Sequence, residues 1–282
     1  MPATLVDTAT LAAHLDDPHW VVVDCRFILT DPDAGRRSYA VGHIPGARYA
    51  HLDADLAGPI TATSGRHPLP DPDTLARKLG AWGIGNDTQV VVYDDSFGSI
   101  AARLWWLLRW LGHEQVALLD GGIPKWKREG RAITDQVVTV TPTRFVPRVN
   151  DALRVDAAMV ERIRTQPGSR LIDVRAEERF SGEREMLDRV AGHVPGARNV
   201  PFDDNLDNPG TYLAPETLRT LYADVLGNAA PADTVVMCGS GVTACHTLLA
   251  LEHAGLSGAR LYVGSWSEWI RDPARPVATG TD

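Results

Sequence analysis

Cysteine is scarce, with three among 282 residues. So small and odd a number builds no disulfide framework and suits a reducing compartment. Positive charge is also in deficit: 28 Lys and Arg face 36 Asp and Glu, for a net charge of -8. No basic stripe offsets that balance, which argues against non-specific nucleic-acid binding. No stretch approaches the roughly 18 apolar residues of a bilayer span. The N-terminal MPATLVDTATLAAHLDD has no basic n-region and acquires acids where a signal peptide would be apolar. There is no low-complexity tract, no Walker-type phosphate loop and no dinucleotide fingerprint, and the cysteines and histidines lack metal-ligand spacing. The expectation is a cytoplasmic protein without cofactor or metal, acting on neither nucleic acid nor membrane.

What is present reads as a globular chain of about two domains, and the chain repeats itself. Gly42-His43-Ile44-Pro45-Gly46-Ala47-Arg48 recurs as Gly192-His193-Val194-Pro195-Gly196-Ala197-Arg198. Before each copy a short β-branched run ends in an acid, Val21-Val22-Val23-Asp24 and Leu171-Ile172-Asp173, with Arg26 and Arg175 two positions on. After each copy comes a second apolar run, Gln89–Asp94 and Asp233–Cys238. The halves close on Gly121-Gly122-Ile123-Pro124-Lys125-Trp126 and Gly264-Ser265-Trp266-Ser267-Glu268-Trp269. Four landmarks in the same order predict a tandem duplication: residues 1–137, a linker over 138–152 that carries Pro142 and Pro147, and residues 153–282. Short buried runs alternate with helical patterns such as 72–79 and 214–221. That alternation predicts an α/β fold, each half a parallel sheet flanked by helices. The run Arg103–Trp110 predicts an amphipathic helix burying its tryptophans. Asp24 and Asp173, present equally in both halves, are expected to form structural ion pairs with the arginines that follow.

The sharpest local signal is Val235-Val236-Met237-Cys238-Gly239-Ser240-Gly241-Val242-Thr243-Ala244-Cys245. A strand leads into Cys238, then a glycine-punctuated turn, then a helix. Glycines at 239 and 241 let successive N–H groups turn inward as an anion nest, and the following helix adds its positive end. A cysteine at that mouth is expected to be a thiolate nucleophile. Cys245, seven residues on, is expected to be buried, with a resolving thiol as the alternative. Cys25 is expected beneath the first sheet, and His67 as an ordered loop residue.

These residues resemble the two-domain rhodanese superfamily, over roughly Thr4 to Trp269. The Cys-Gly-Ser-Gly-Val-Thr-Ala loop is closer to 3-mercaptopyruvate sulfurtransferases than to thiosulfate sulfurtransferases, whose two positions after the cysteine are typically basic. The sequence departs from the family at Val263, where an acidic or small residue is more common. The resemblance implies transfer of a sulfane sulfur from 3-mercaptopyruvate, through a Cys238 persulfide, to cyanide or a thiol such as a thioredoxin. The persulfide would rest on N–H groups from Gly239 to Thr243, including Gly241 and Val242. It also implies an Arg for the donor carboxylate, which maps to Arg179 in Glu178-Arg179-Phe180. Arg184 and Arg189 are candidates for a second, in a segment that departs from the family in length. Ser240, His43 and Asp33 would form a proton relay, with Asp31 as the alternative acid. The family's active site lies between its domains, with the first half forming part of the cleft wall. The rival readings are a thiosulfate:cyanide sulfurtransferase and, in another class, a non-catalytic sulfur-carrier or partner-docking module. A phosphatase is excluded by Ala244, which stands where Cys-x5-Arg requires arginine. Aligning Gly98 with Gly241 sets Asp95 opposite Cys238, so the first half is expected to be catalytically silent.

Overall fold

The computed structural model describes residues 4–281. They separate into two compact units. The first holds residues 4–58, Leu69–Asn150 and Asn208–Thr211, and the second holds Pro59–Pro68, Asp151–Asp207 and residues 212–281.

In the first unit, β1 (Leu5–Val6), β2 (Trp20–Asp24), β3 (Arg48–Tyr49), β4 (Gln89–Tyr93) and β5 (Val116–Leu119) form one sheet in the order β1-β5-β4-β2-β3. Every pairing is parallel. The second unit repeats the order with β6 (Arg154–Val155), β7 (Arg170–Asp173), β8 (Ala197–Asn199), β11 (Thr234–Met237) and β12 (Arg260–Tyr262), as β6-β12-β11-β7-β8, again all parallel. Short strands β9 (Leu206–Asp207) and β10 (Thr211–Tyr212) stand outside this sheet. The chain leaves β7 for β8 on one side and β11 for β12 on the other, so the sheet's topological switch point lies between β7 and β11. Open parallel sheets bind ligands at the carboxyl ends of the strands there.

Helices α1 (Thr8–Ala13), α2 (Ala34–Val41), α3 (Leu52–Asp55), α4 (Pro72–Ala81), α5 (Ala101–Trp110) and α6 (Gly122–Arg128) belong to the first unit. In the second are α7 (Ala157–Ile163), α8 (Glu177–Phe180), α9 (Pro215–Leu226), α10 (Ala244–His253) and α11 (Ser265–Trp269). Asp71 caps α4 through its side chain, and Pro72 and Pro215 open α4 and α9 at positions that need no donor. Helix α5 is not amphipathic: every residue but Arg109 is buried, and α10 is likewise buried from Ala244 to Leu251. These are the two helices that follow the central strands β4 and β11, and a helix buried on all sides is mostly apolar all round, with Arg103, His246 and Thr247 as buried polar exceptions.

The core of the first unit gathers Leu11, Ile44, Val91, Tyr93, Leu119 and Trp126, and that of the second Val160, Leu171, Phe180, Val235, Trp266 and Trp269. The proline-bearing segment after Thr134 has no regular structure, yet it is bound along the first unit. Thr143 N–H donates to Gly80 O, Arg148 N–H to Leu111 O and Asn150 N–H to Trp110 O.

Candidate active site

Cys238 begins the loop after β11, at the switch point, and is 3% exposed. Its main chain is fixed from α11: Ser265 Oγ accepts from Cys238 N–H at 3.1 Å, and Trp266 N–H donates to Cys238 O at 3.0 Å. The loop then turns so that Gly241 N–H donates to Cys238 Sγ at 3.2 Å. Only glycine serves at 241, where φ is +76° and an added Cβ would stand 2.2 Å from Val263 O. That contact is to the Val263 backbone, so the departure from the family at this side chain leaves it intact. The N–H groups of Ser240, Val242 and Thr243 have no hydrogen-bond acceptor among the described residues. They remain available for an anion beside the sulfur, at the N-terminus of α10.

The sheet register corrects the position expected to match Cys238 in the first half. Tyr93 pairs with Asp24 as Met237 pairs with Asp173, so the next residues, Asp94 and Cys238, are equivalent. Ile123 N–H donates to Asp94 O just as Trp266 N–H donates to Cys238 O. Asp95, the residue expected there, is exposed. The Asp94 carboxyl is buried and accepts from the N–H groups of Ser96, Gly98, Ile100 and Ala101 at 2.8–2.9 Å. Burial pushes its pKa above the ordinary carboxylate range, against the pull of those four donors. The first unit thus fills its own nest with a side-chain carboxyl, where the second presents a sulfur.

The hydroxyl of Ser240 meets a different histidine from the one expected. His67 Nδ1 lies 2.7 Å from Ser240 Oγ, and both side chains are buried. His43 is engaged elsewhere: Nδ1 bonds Tyr39 O at 2.8 Å, Nε2 bonds Gln136 O at 3.2 Å, and the ring stacks on Tyr39. His193 does the same in the second copy of the motif, bonding Phe180 O and stacking on Phe180. Each histidine also makes a two-way main-chain bridge, His43 with Thr134 and His193 with Ala278. The histidine of the repeated motif therefore ties down a turn. Asp33 is exposed and serves as the first residue before α2, and Asp31 is exposed in an ion pair with Arg37. Neither acid is joined to Ser240. The signal for His67 was only its place in Arg66-His67-Pro68, a loop with no periodicity to mark it.

Two guanidinium groups stand over the loop. A Cβ added at Gly239 would lie 3.3 Å from Arg66 Nη2, and 3.5 and 3.6 Å from Arg179 Nη1 and Nη2. Asp188 joins the two, accepting from Arg66 Nη1 at 2.8 Å and from Arg179 Nη2 at 3.0 Å. Glu185 accepts from Arg179 Nε and Nη2 at 3.1–3.2 Å. Burial pushes the Glu185 carboxyl up, but the N–H groups of Leu187 and Asp188 and the Arg179 guanidinium outweigh it and hold it below its ordinary value. Arg184 and Arg189 are exposed. Arg184 makes only a backbone bond to Glu178 O, and Arg189 Nη2 bonds Ile270 O at 2.6 Å. Neither is placed by any of these contacts at the loop.

The remaining expectations concern structure. Asp24–Arg26 and Asp173–Arg175 are buried ion pairs, each arginine reaching back to the motif glycine carbonyl, Gly42 O or Gly192 O. Cys25, Cys238 and Cys245 are all free and buried, and Cys245 Sγ lies 3.4 Å from Gly241 O. Among the described residues no cluster of three or more His, Cys, Asp or Glu is placed to hold a metal ion, and no helix is long and apolar enough to cross a membrane.

The model of the rhodanese-like domain matches the chain twice, over residues 7–129 and 156–272. A probable 3-mercaptopyruvate sulfurtransferase of Pseudomonas aeruginosa is 50% identical over 280 residues, covering 99% of both chains. Thiosulfate sulfurtransferase of Rattus norvegicus is 33% identical, covering 95% of this chain and 92% of its own. Among solved structures, the 3-mercaptopyruvate sulfotransferase SseA of Escherichia coli superimposes with a TM-score of 0.81 at 32% identity, covering 94% of this chain and 99% of that one.

Proposed function

The chain belongs to the rhodanese-like family, and from that membership we propose that it is a sulfurtransferase moving a sulfane sulfur from 3-mercaptopyruvate to a thiol or cyanide through a persulfide on Cys238. The observation that carries the reading is the Cys238 sulfur at the switch point, with Gly241 N–H directed at it.

Cys238 thiolate attacks the donor sulfur; the new Sγ–S bond forms as the carbon–sulfur bond breaks. The electron pair of that bond passes to the leaving carbon, which takes a proton and departs as pyruvate. Ser240 and His67 supply the hydrogen-bonded pair through which a proton can move. The outer sulfur is held as an anion by the free N–H groups of Ser240, Val242 and Thr243, as an oxyanion is held in its hole. Cyanide or a thiolate then attacks it and releases Cys238. Arg179 faces the loop as the cation for the donor carboxylate. A reducing cytoplasm suits three free thiols, and a thioredoxin would be a fitting dithiol acceptor there.

The test compares rates with 3-mercaptopyruvate and with thiosulfate, cyanide being the acceptor, and follows the intact mass after donor alone. The expected result is preference for 3-mercaptopyruvate, with a mass gain of one sulfur that Cys238→Ser abolishes and Cys245→Ser retains. Sulfur transfer surviving in Cys238→Ser would overturn the mechanism. Thiosulfate is the competing donor, since two guanidinium groups over the loop suit a dianion. A faster rate with it would overturn the donor assignment alone.

A further inference from the structure

We infer that the cleft after α11 binds a small organic anion, a phosphate or carboxylate carried on an apolar body, through Arg189, Arg271 and Arg275. The site is a second one: none of residues 238–243 lines it.

The cleft lies within the second unit, between residues 189–190 and the turn that follows α11, and encloses about 520 Å³. That is the size of a small-molecule site. Three guanidinium groups line it against one carboxylate, Asp272, in a chain whose net charge is -8. Gathering like charges costs free energy that an anion among them would offset. The three are also little used by the protein. The Arg271 side chain makes no hydrogen bond or ion pair among the described residues. Arg189 engages only Nη2, on Ile270 O at 2.6 Å. Arg275 Nε stands 3.7 Å from Asp272 Oδ2, beyond hydrogen-bond reach, and Nη1 meets Glu268 O at 3.4 Å. Yet Arg275 is held in place, its guanidinium 5.3 Å from the centroid of the Trp269 ring. A fork already fixed loses little freedom on binding. The rest of the lining sets the class of ligand. Val190, Ile270 and Val277 are apolar, and Val277 is 41% exposed, so a hydrocarbon body beside the anionic group would take this surface out of water.

The cleft continues the two segments that support the nucleophile. Asp188, just before Arg189, holds Arg66 and Arg179. Helix α11, just before Ile270, holds Cys238 O and Gly239 O through the N–H groups of Trp266 and Ser267. The bond from Arg189 to Ile270 O joins these segments once, and an anion shared by Arg189 with Arg271 or Arg275 joins them again. Occupancy of the cleft therefore braces the Cys238 loop without touching it, and stiffening alone is enough to couple two sites.

The experiment titrates the full chain with phenyl phosphate and with inorganic phosphate, which share a head group and differ in the apolar body. Calorimetry should show phenyl phosphate binding about tenfold more tightly than inorganic phosphate. Arg271→Gln and Arg275→Gln should each weaken phenyl phosphate binding about tenfold, while Arg179→Gln leaves it unchanged. Arg271 is exposed, so its variant keeps the test open should Arg275→Gln, which loses the Trp269 stack, fail to fold. With phenyl phosphate bound, the amides of residues 238–243 should exchange about threefold more slowly, and the same arginine variants should lose that protection. No binding, or equal affinity for the two phosphates, would overturn the inference. So would binding that survives the cleft variants and is lost in Arg179→Gln, which would place the anion at the Cys238 loop. Protection that persists in the cleft variants would overturn the coupling. Neither readout needs sulfur transfer, so both judge the cleft whatever donor the chain uses.

Discussion

His67 Nδ1 and Ser240 Oγ lie 2.7 Å apart although 173 positions separate them in the chain. Two buried groups at that distance form a short, directional hydrogen bond, and Ser240 is two residues from the sulfur. If this pair moves the proton that converts the leaving carbon to pyruvate, His67→Ala and Ser240→Ala should each lower kcat with 3-mercaptopyruvate by about 100-fold. The double variant should be scarcely slower than either single one, because residues acting as a unit are not additive. Additive losses would show two separate roles.

His43 should behave otherwise. Its ring stacks on Tyr39 and one of its nitrogens donates to a carbonyl, Tyr39 O lying 2.8 Å from Nδ1 and Gln136 O 3.2 Å from Nε2, so removing it leaves an acceptor unmet in a buried turn. His43→Ala is expected to lose about 2 kcal/mol of stability in urea unfolding while kcat per folded molecule is unchanged. His193→Ala should lose a similar amount for the same reason. A kcat loss in His43→Ala matching that of His67→Ala would restore the relay that the resemblance implies.

Asp94 offers a test of the first unit. Its carboxyl accepts four backbone N–H groups in a buried loop. Asp94→Ala should destabilise that unit by about 3 kcal/mol or more, since unmet buried donors carry their full desolvation cost. Asp95→Ala, on the exposed neighbour, should stay within about 0.5 kcal/mol. The two measured midpoints decide which residue stands in the place of the cysteine.

Those results bear on what the residues disclose before folding. The β-branched runs at 21–24, 90–92, 171–172 and 235–236 mark the inner strands because a strand buried on both faces has no polar alternation to blur it. The Cys238 loop is legible because its glycines and its cysteine are contiguous. His67 and Arg66 are not, since their meeting with residues 239–240 and 188 is made by the fold and leaves no periodicity behind. The resemblance placed His43 in the relay, whereas a residue kept in both copies of the motif serves what the halves share, which is the turn. The register of Asp94 was hidden because strand pairing sets it, whereas aligning glycines across loops of unequal shape shifts it by one.

The last expectation concerns acid. Glu185 lies under the Arg179 fork, and its carboxyl is held below the ordinary value of 4.5 by two backbone N–H groups and that guanidinium, which together outweigh burial. A carboxyl whose folded pKa is depressed binds its proton more readily when unfolded. Its contribution is therefore complete above the unfolded value and is lost as pH falls through the folded one. Wild-type stability should hold from pH 7 to about 5 and then decline below about 4.5, apart from the common decline of other acids. Glu185→Gln should be less stable at pH 7 by about 1–3 kcal/mol, because Arg179 keeps Asp188 but loses the carboxylate that engages both its Nε and Nη2. The gap between the two proteins should narrow as pH falls below about 4.5, since protonation makes the wild type resemble the variant. Urea midpoints measured for both from pH 7 to 4 would show this convergence, and parallel curves would mean that Glu185 contributes through packing and not through charge.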